Sequence, residues 1–221
     1  MDIHKPKPWH GVREFLKEYV IIVVGVLTAL GAEQVAEHLR WQKAVAEARA
    51  SIHQEMAFDS AFFADRARGR PCVAETVARL DGAISAAQAT GRVEAVPGIP
   101  SGLSAQITDA QWQAARAAQV LPHFPRAELD DLGRYYDMIE TLKTYFMRDE
   151  REDWLWLNDL RDGARRLDTS DLALLRLHLR SASGLNSTIS GISQKLLDMD
   201  EKLGVKPAPR DLGGLDRLCR N

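Results

Sequence analysis

YVIIVVGVLTALGA, residues 19–32, is a run of fourteen residues without a charge in a chain of 221 whose charged fraction is 27%. At 1.5 Å per residue a helix of this length reaches roughly 21 Å, against a hydrocarbon layer of ~30 Å. Its flanks extend it: Phe15 and Leu16 add an apolar turn before it, Val35 and Ala36 add one after it, and Lys17 is long enough to snorkel. A buried helix of a soluble domain keeps a polar stripe, whereas here Thr28 is the one polar side chain. The run therefore reads as a single transmembrane helix over 19–36, held by Tyr19, Val20, Ile21, Ile22, Val23, Val24, Val26, Leu27 and Leu30. Trp9, Tyr19 and Trp41 fall where interfacial aromatics belong. Two other readings stay open, a cleaved signal peptide and an enclosed core helix. Against cleavage, the leader carries Glu14 and Glu18 where a signal peptide is positive. The apolar stripe Val35, Leu39, Val45, Ala48, Ile52, Met56 also continues past the small residues of Ala29-Leu30-Gly31 that a peptidase would read.

Lys5, Lys7, Arg13 and Lys17 precede the run, and Arg40, Lys43 and Arg49 follow it, a four-to-three bias that favours residues 1–18 as a short cytoplasmic leader. The bulk of the chain then lies outside the cytoplasm. A leader of that size has no room for a signalling domain, so a sensor built this way must pass its signal to a partner. A net charge of −2 gives no electrostatic footprint for nucleic acid. The two cysteines, Cys72 and Cys219, are too few for a disulfide-dense scaffold. They either pair in an oxidising compartment, contributing up to ~5 kcal/mol through the closed loop, or stand as two unpaired thiols.

Beyond the anchor nearly every segment has helical periodicity, so the fold is all-α: a transmembrane helix continuing into an antiparallel bundle of four to five helices over 37–204, with 205–221 as a tail. The anchor helix is expected to stop near Gly69-Arg70-Pro71, with a second helix over 72–90 ending at Gly91 and a loop over 96–102. Thr108 or Asp109 caps a short helix from Trp112 to Val120, and Leu129, Leu132, Tyr136, Ile139, Leu142 and Phe146 mark an amphipathic helix. RDERED, residues 148–153, reads as a solvated turn of helix, after which Trp154, Leu157, Leu160, Ala164 and Leu167 resume the apolar face. The last helix opens at Asp168-Thr169-Ser170. Its seam of Ala182, Leu185, Ile189, Ile192, Leu196, Met199 and Leu203 steps alternately by three and four and ends at Gly204. Ser181, Ser183, Gly184, Ser187, Ser190, Gly191 and Ser193 cover much of its remaining surface and permit close approach of another helix, within the domain or from another subunit.

No phosphate-binding glycine loop, nucleophile elbow or paired-histidine zinc motif is present, so the sequence offers no catalytic residue, no cofactor and no metal site. Glu33, Glu37 and His38, or His53 with Glu55 and Asp59, match no ligand spacing and read as solvated faces. The stretch KEYVIIVVGVLTALGAEQVAEHLRWQKAVAEARASIHQEM, with the region from Trp112 through Tyr135-Tyr136, resembles a family of small uncharacterised bacterial single-pass membrane proteins with a helical C-terminal domain. The resemblance implies a bacterial single-pass helical protein and no activity; with the leader in the cytoplasm by its basic residues, a cell inner-membrane protein with its bulk in the periplasm is then expected. Two functional classes follow. One is an interaction module that binds an envelope protein or a second copy of itself through the Ser/Gly face and exposed aromatics such as Trp154 and Trp156. The other is a ligand-binding or sensing domain, or an enzyme with a scattered site, whose pocket would be lined by Trp112, Arg134, Tyr135, Tyr136 and Asp137.

Overall fold

A computed structural model describes residues 11–99, 107–161 and 165–209. Residues expected to form most of the leader (Lys5, Lys7, Trp9), part of the 96–102 loop, Ala164 and the tail beyond 209 lie outside them. The described chain is mostly helical: α1 spans Val12–Thr90, α2 Ala110–Ala117, α3 Arg126–Thr141, α4 Met147–Asn158 and α5 Thr169–Lys202. Two strands of two residues each, β1 (Arg92–Val93) and β2 (Arg165–Arg166), pair antiparallel. By internal contacts the chain divides into a first unit ending at Glu47 and a second beginning at Ala48.

The first unit consists, among the described residues, of the N-terminal part of α1. Its helix exposes apolar side chains all round: Tyr19, Ile21, Ile22, Val24, Val26, Leu27 and Leu30 each keep more than half of their surface. Thr28 donates its hydroxyl to the Val24 carbonyl at 2.8 Å, so the run's single polar side chain is satisfied within its own helix.

In the second unit α1 continues to Thr90, and the expected break at Gly69-Arg70-Pro71 does not occur. Proline removes one i→i−4 donor and weakens a helix interior. Across this stretch α5 bonds to α1 from the side. Ser190 donates its hydroxyl to the Arg66 carbonyl and Asn186 its amide to the Arg70 carbonyl, each at 3.3 Å. Ser60 pairs with Asp200, Arg70 with Ser187 and Arg176 with Ser85, so partner numbers on α5 fall as those on α1 rise. The small residues of α5 thus serve contact within the chain at Ser190 and Ser193, both buried, while Ser181, Ser183, Gly184 and Ser187 face solvent. The seam alternates buried Ala182, Ile189 and Leu196 with half-buried Leu185, Ile192 and Met199.

Helix ends follow their capping chemistry. Asp168 and Asp171 form a reciprocal capping box at the start of α5. At its end Gly204, with φ of 73°, lets its own N–H reach the Glu201 carbonyl and that of Val205 reach the Asp200 carbonyl. The same motif ends α2, with Gln119 at φ of 56° in the place usually held by glycine. Val205 is buried and the Ala208 N–H donates to the Ala57 carbonyl at 2.8 Å, so the start of the expected tail packs back onto α1. One half of the core joins Leu80, Ile84 and Ala87 of α1 to Trp154 and Leu157 of α4 and to Leu175 and Leu179 of α5. Ile52, Met56 and Phe63 of α1, Leu132 and Ile139 of α3, Leu142, and Ile189 and Leu196 of α5 are buried as well. A π-helical turn, Leu142–Phe146, links α3 to α4.

Candidate functional site

Buried charge is the unexpected content of the second unit. Glu55 and Asp59, read from sequence as part of a solvated face, lie four residues apart on the stripe that also carries Ile52, Met56 and Phe63, and both are buried. They join Thr108, whose Oγ1 accepts the Ala110 N–H at 3.2 Å as expected, in capping α2. Asp109 makes no side-chain cap bond. Instead Glu55 Oε2 accepts the Gln111 N–H at 2.9 Å and the Thr108 hydroxyl at 3.3 Å, and the Asp59 carboxylate accepts the Thr108 N–H at 3.1 Å. An anion borrowed from α1 thereby satisfies the free N–H groups and dipole of another helix. Tyr136 completes the group by donating its hydroxyl to Glu55 Oε1 at 2.8 Å, and burial beside this carboxylate pushes the phenol pKa up. By contrast Glu33, Glu37 and His38 are exposed.

RDERED corrects a second expectation. Glu150 and Asp153 point inward, where Arg66 Nη2 donates to Glu150 Oε1 at 2.7 Å and His178 Nδ1 lies 2.8 Å from Asp153 Oδ1. Burial raises the Glu150 pKa against the opposing pull of Arg66. Further along, Asp200 receives the Ser60 hydroxyl with the Tyr135 hydroxyl beside it, and burial lifts its carboxyl to about 7. No group of three or more metal-ligating side chains converges among the described residues.

The candidate aromatics separate in the structure. Trp154 is fully buried between α1 and α5, so its expected place on an exposed interface is wrong: with Leu157 it belongs to the core. Trp156 is 43% exposed and stacks on the His178 ring at 5.1 Å. Tyr135 and Tyr136 are buried, whereas Arg134 and Asp137 are exposed and lie outside the lining of the groove beside Trp112. Trp112 is half-buried, with one face stacked on Tyr136 at 4.9 Å and 8°. It also borders this groove of about 620 Å³, formed with Leu121, Pro122, Phe124, Arg126, Leu129 and Gly133. Sequence reading found Trp112 and missed the rest of this lining, since Leu121–Phe124 read only as a helix stop. Arg49 of α1 lies 5.4 Å over the Phe124 ring and pairs with Glu128, which fixes the floor of the corner. Lys143 holds Asp109 at 2.6 Å and anchors the start of α2.

Cys72 carries a disulfide, which excludes the reading as two unpaired thiols. The chain's other cysteine, Cys219, lies outside the described residues. Among the described residues one helix, α1, is long and apolar enough to cross a membrane, and none of its most apolar window is buried by them. No family model, no curated protein and no solved structure matches the chain.

Proposed function

We propose that the chain is a single-pass, membrane-anchored helical interaction module of the bacterial envelope, with α1 crossing the inner membrane at 19–36 and continuing into an antiparallel helical bundle in the periplasm. The observation that carries this reading is the exposed apolar circumference of Tyr19–Leu30. Burying such surface is favourable by about 25 cal/mol per Å², and none of the described residues covers it, so a bilayer is the environment it fits. The cap of Thr28 on its own backbone supports the same environment, where an unmade hydrogen bond is expensive. A disulfide at Cys72 supports an oxidising compartment for the second unit.

Interaction, not catalysis, is the role favoured for the bundle, because its buried acids are committed to capping, ion pairing and interhelical hydrogen bonds. Tethering raises effective concentration toward membrane partners, which benefits a binding module directly. The partner is an envelope protein or a second copy of the chain. Alkaline carbonate washing tests the anchor, which should keep the protein in the membrane pellet, and a reporter fused after Asn221 that works only in the periplasm should be active. Release by carbonate, or activity of a reporter confined to the cytoplasm, would overturn the reading. Cross-linking in intact cells followed by gentle solubilisation then identifies the partner.

A further inference from the structure

The corner between α2 and α3 is a groove open to solvent, and its lining lies wholly outside the apolar run. Its wall is the free face of Trp112, whose opposite face is already taken by Tyr136, so a flat apolar group can stack there without disturbing the core. Leu121, Phe124 and Leu129 line the open groove, and its volume of about 620 Å³ suits a small molecule. Gly133 lies at the lining in mid-α3, where glycine weakens a helix and no left-handed backbone demands it. A Cβ built there meets nothing within 4 Å, so the missing side chain leaves open space that another residue would fill. Arg126 at the edge is 88% exposed and its pairing with Asp130 at 3.3 Å is an exposed one, which a ligand anion can replace at little loss.

We infer that this corner is a binding site for a small planar apolar carboxylate, its ring stacked on Trp112 and its anionic group paired with Arg126. Stacking supplies the apolar burial, and the planar guanidinium matches a carboxylate with two parallel hydrogen bonds. A ring acid of this kind fits the charge at the edge better than a cation or a long flexible chain.

The test uses the full chain in nanodiscs and calorimetric titration with 2-naphthoate, with empty nanodiscs as background. Saturable binding to the wild-type protein is expected. Gly133→Leu fills the groove and should weaken that binding at least about tenfold while leaving the melting temperature unchanged or higher. Arg126→Gln should weaken 2-naphthoate by about tenfold and leave the uncharged 2-naphthamide within about twofold, since only the ion pair is lost. Absence of saturable binding above the empty nanodiscs would overturn the site, as would wild-type affinity in Gly133→Leu. Equal loss of acid and amide in Arg126→Gln would overturn the assignment of the anion. None of these outcomes depends on the topology of α1, so the anchor reading stands or falls separately.

Discussion

Asp200 offers the most quantitative check on the fold. Its carboxyl sits at the end of α5, receives the Ser60 hydroxyl, has Tyr135 beside it and is held at about 7 by burial. An unfolded Asp titrates near 3.8. A rise of about three units at 1.36 kcal/mol each amounts to roughly 4 kcal/mol of penalty for carrying the ionised form inside. Between these two values the folded protein holds a proton that the unfolded chain releases, so stability falls as pH rises through roughly 4 to 7. Asp200→Asn removes the titration and keeps an oxygen for the Ser60 hydroxyl. Thermal unfolding of the full chain in nanodiscs, followed from pH 4.5 to 8.5, should show the variant gaining on the wild type by roughly 3 kcal/mol across the range. For a domain of this size that is on the order of 10 °C in melting temperature. Parallel pH profiles for the two proteins would refute the buried placement of Asp200.

Leu196→Asp and Ile189→Asp would each put an unpaired carboxylate in the fully buried seam, and should abolish cooperative melting, a loss of several kcal/mol read by circular dichroism. Near-normal melting would instead place that face at a surface. Gln119→Gly relieves a left-handed φ of 56° and should stabilise by about 1 kcal/mol in the same melting assay. Arg66→Met strands Glu150 inside and should cost about 3–5 kcal/mol, and adding Glu150→Leu to it should restore most of the loss. A double variant no better than the single would show that the pair is not buried as described.

The helical class and the helix termini at Gly91, Asp168 and Gly204 were legible because periodicity and capping are local signals. Gly69-Arg70-Pro71 misled for the same reason. Both residues punctuate helices in isolation, and the contacts that α1 makes there are with Asn186 and Ser190, more than a hundred positions away and invisible to a local reading. RDERED misled through register. The π-helical turn at Leu142–Phe146 inserts a wider turn than the 3.6-residue period assumes, so the phase set by Leu132, Ile139 and Leu142 does not carry into α4, where Trp154 and Leu157 set it instead.

Charge misled most at the candidate site, and the reason bears on how such helices are read. Glu55 and Asp59, read as solvated, fall in phase with the buried Ile52, Met56 and Phe63, and Arg66, which sequence reading did not single out, continues that phase. Side-chain type argued for solvent, and the reading followed type. Each phase-matched charge turns out to have a partner that no local pattern encodes: a helix N-terminus for Glu55 and Asp59, and Glu150 for Arg66. A charged residue in phase with an apolar stripe is therefore better read as a demand for a partner elsewhere in the chain than as an interruption of the core. Under that rule Glu150 and Asp153 follow as well, since Glu150, Asp153, Trp154 and Leu157 step by three, one and three along one face of α4. The acids then stand as the positions at which α1, α2, α4 and α5 recognise one another, and the apolar seam supplies the burial that holds them there.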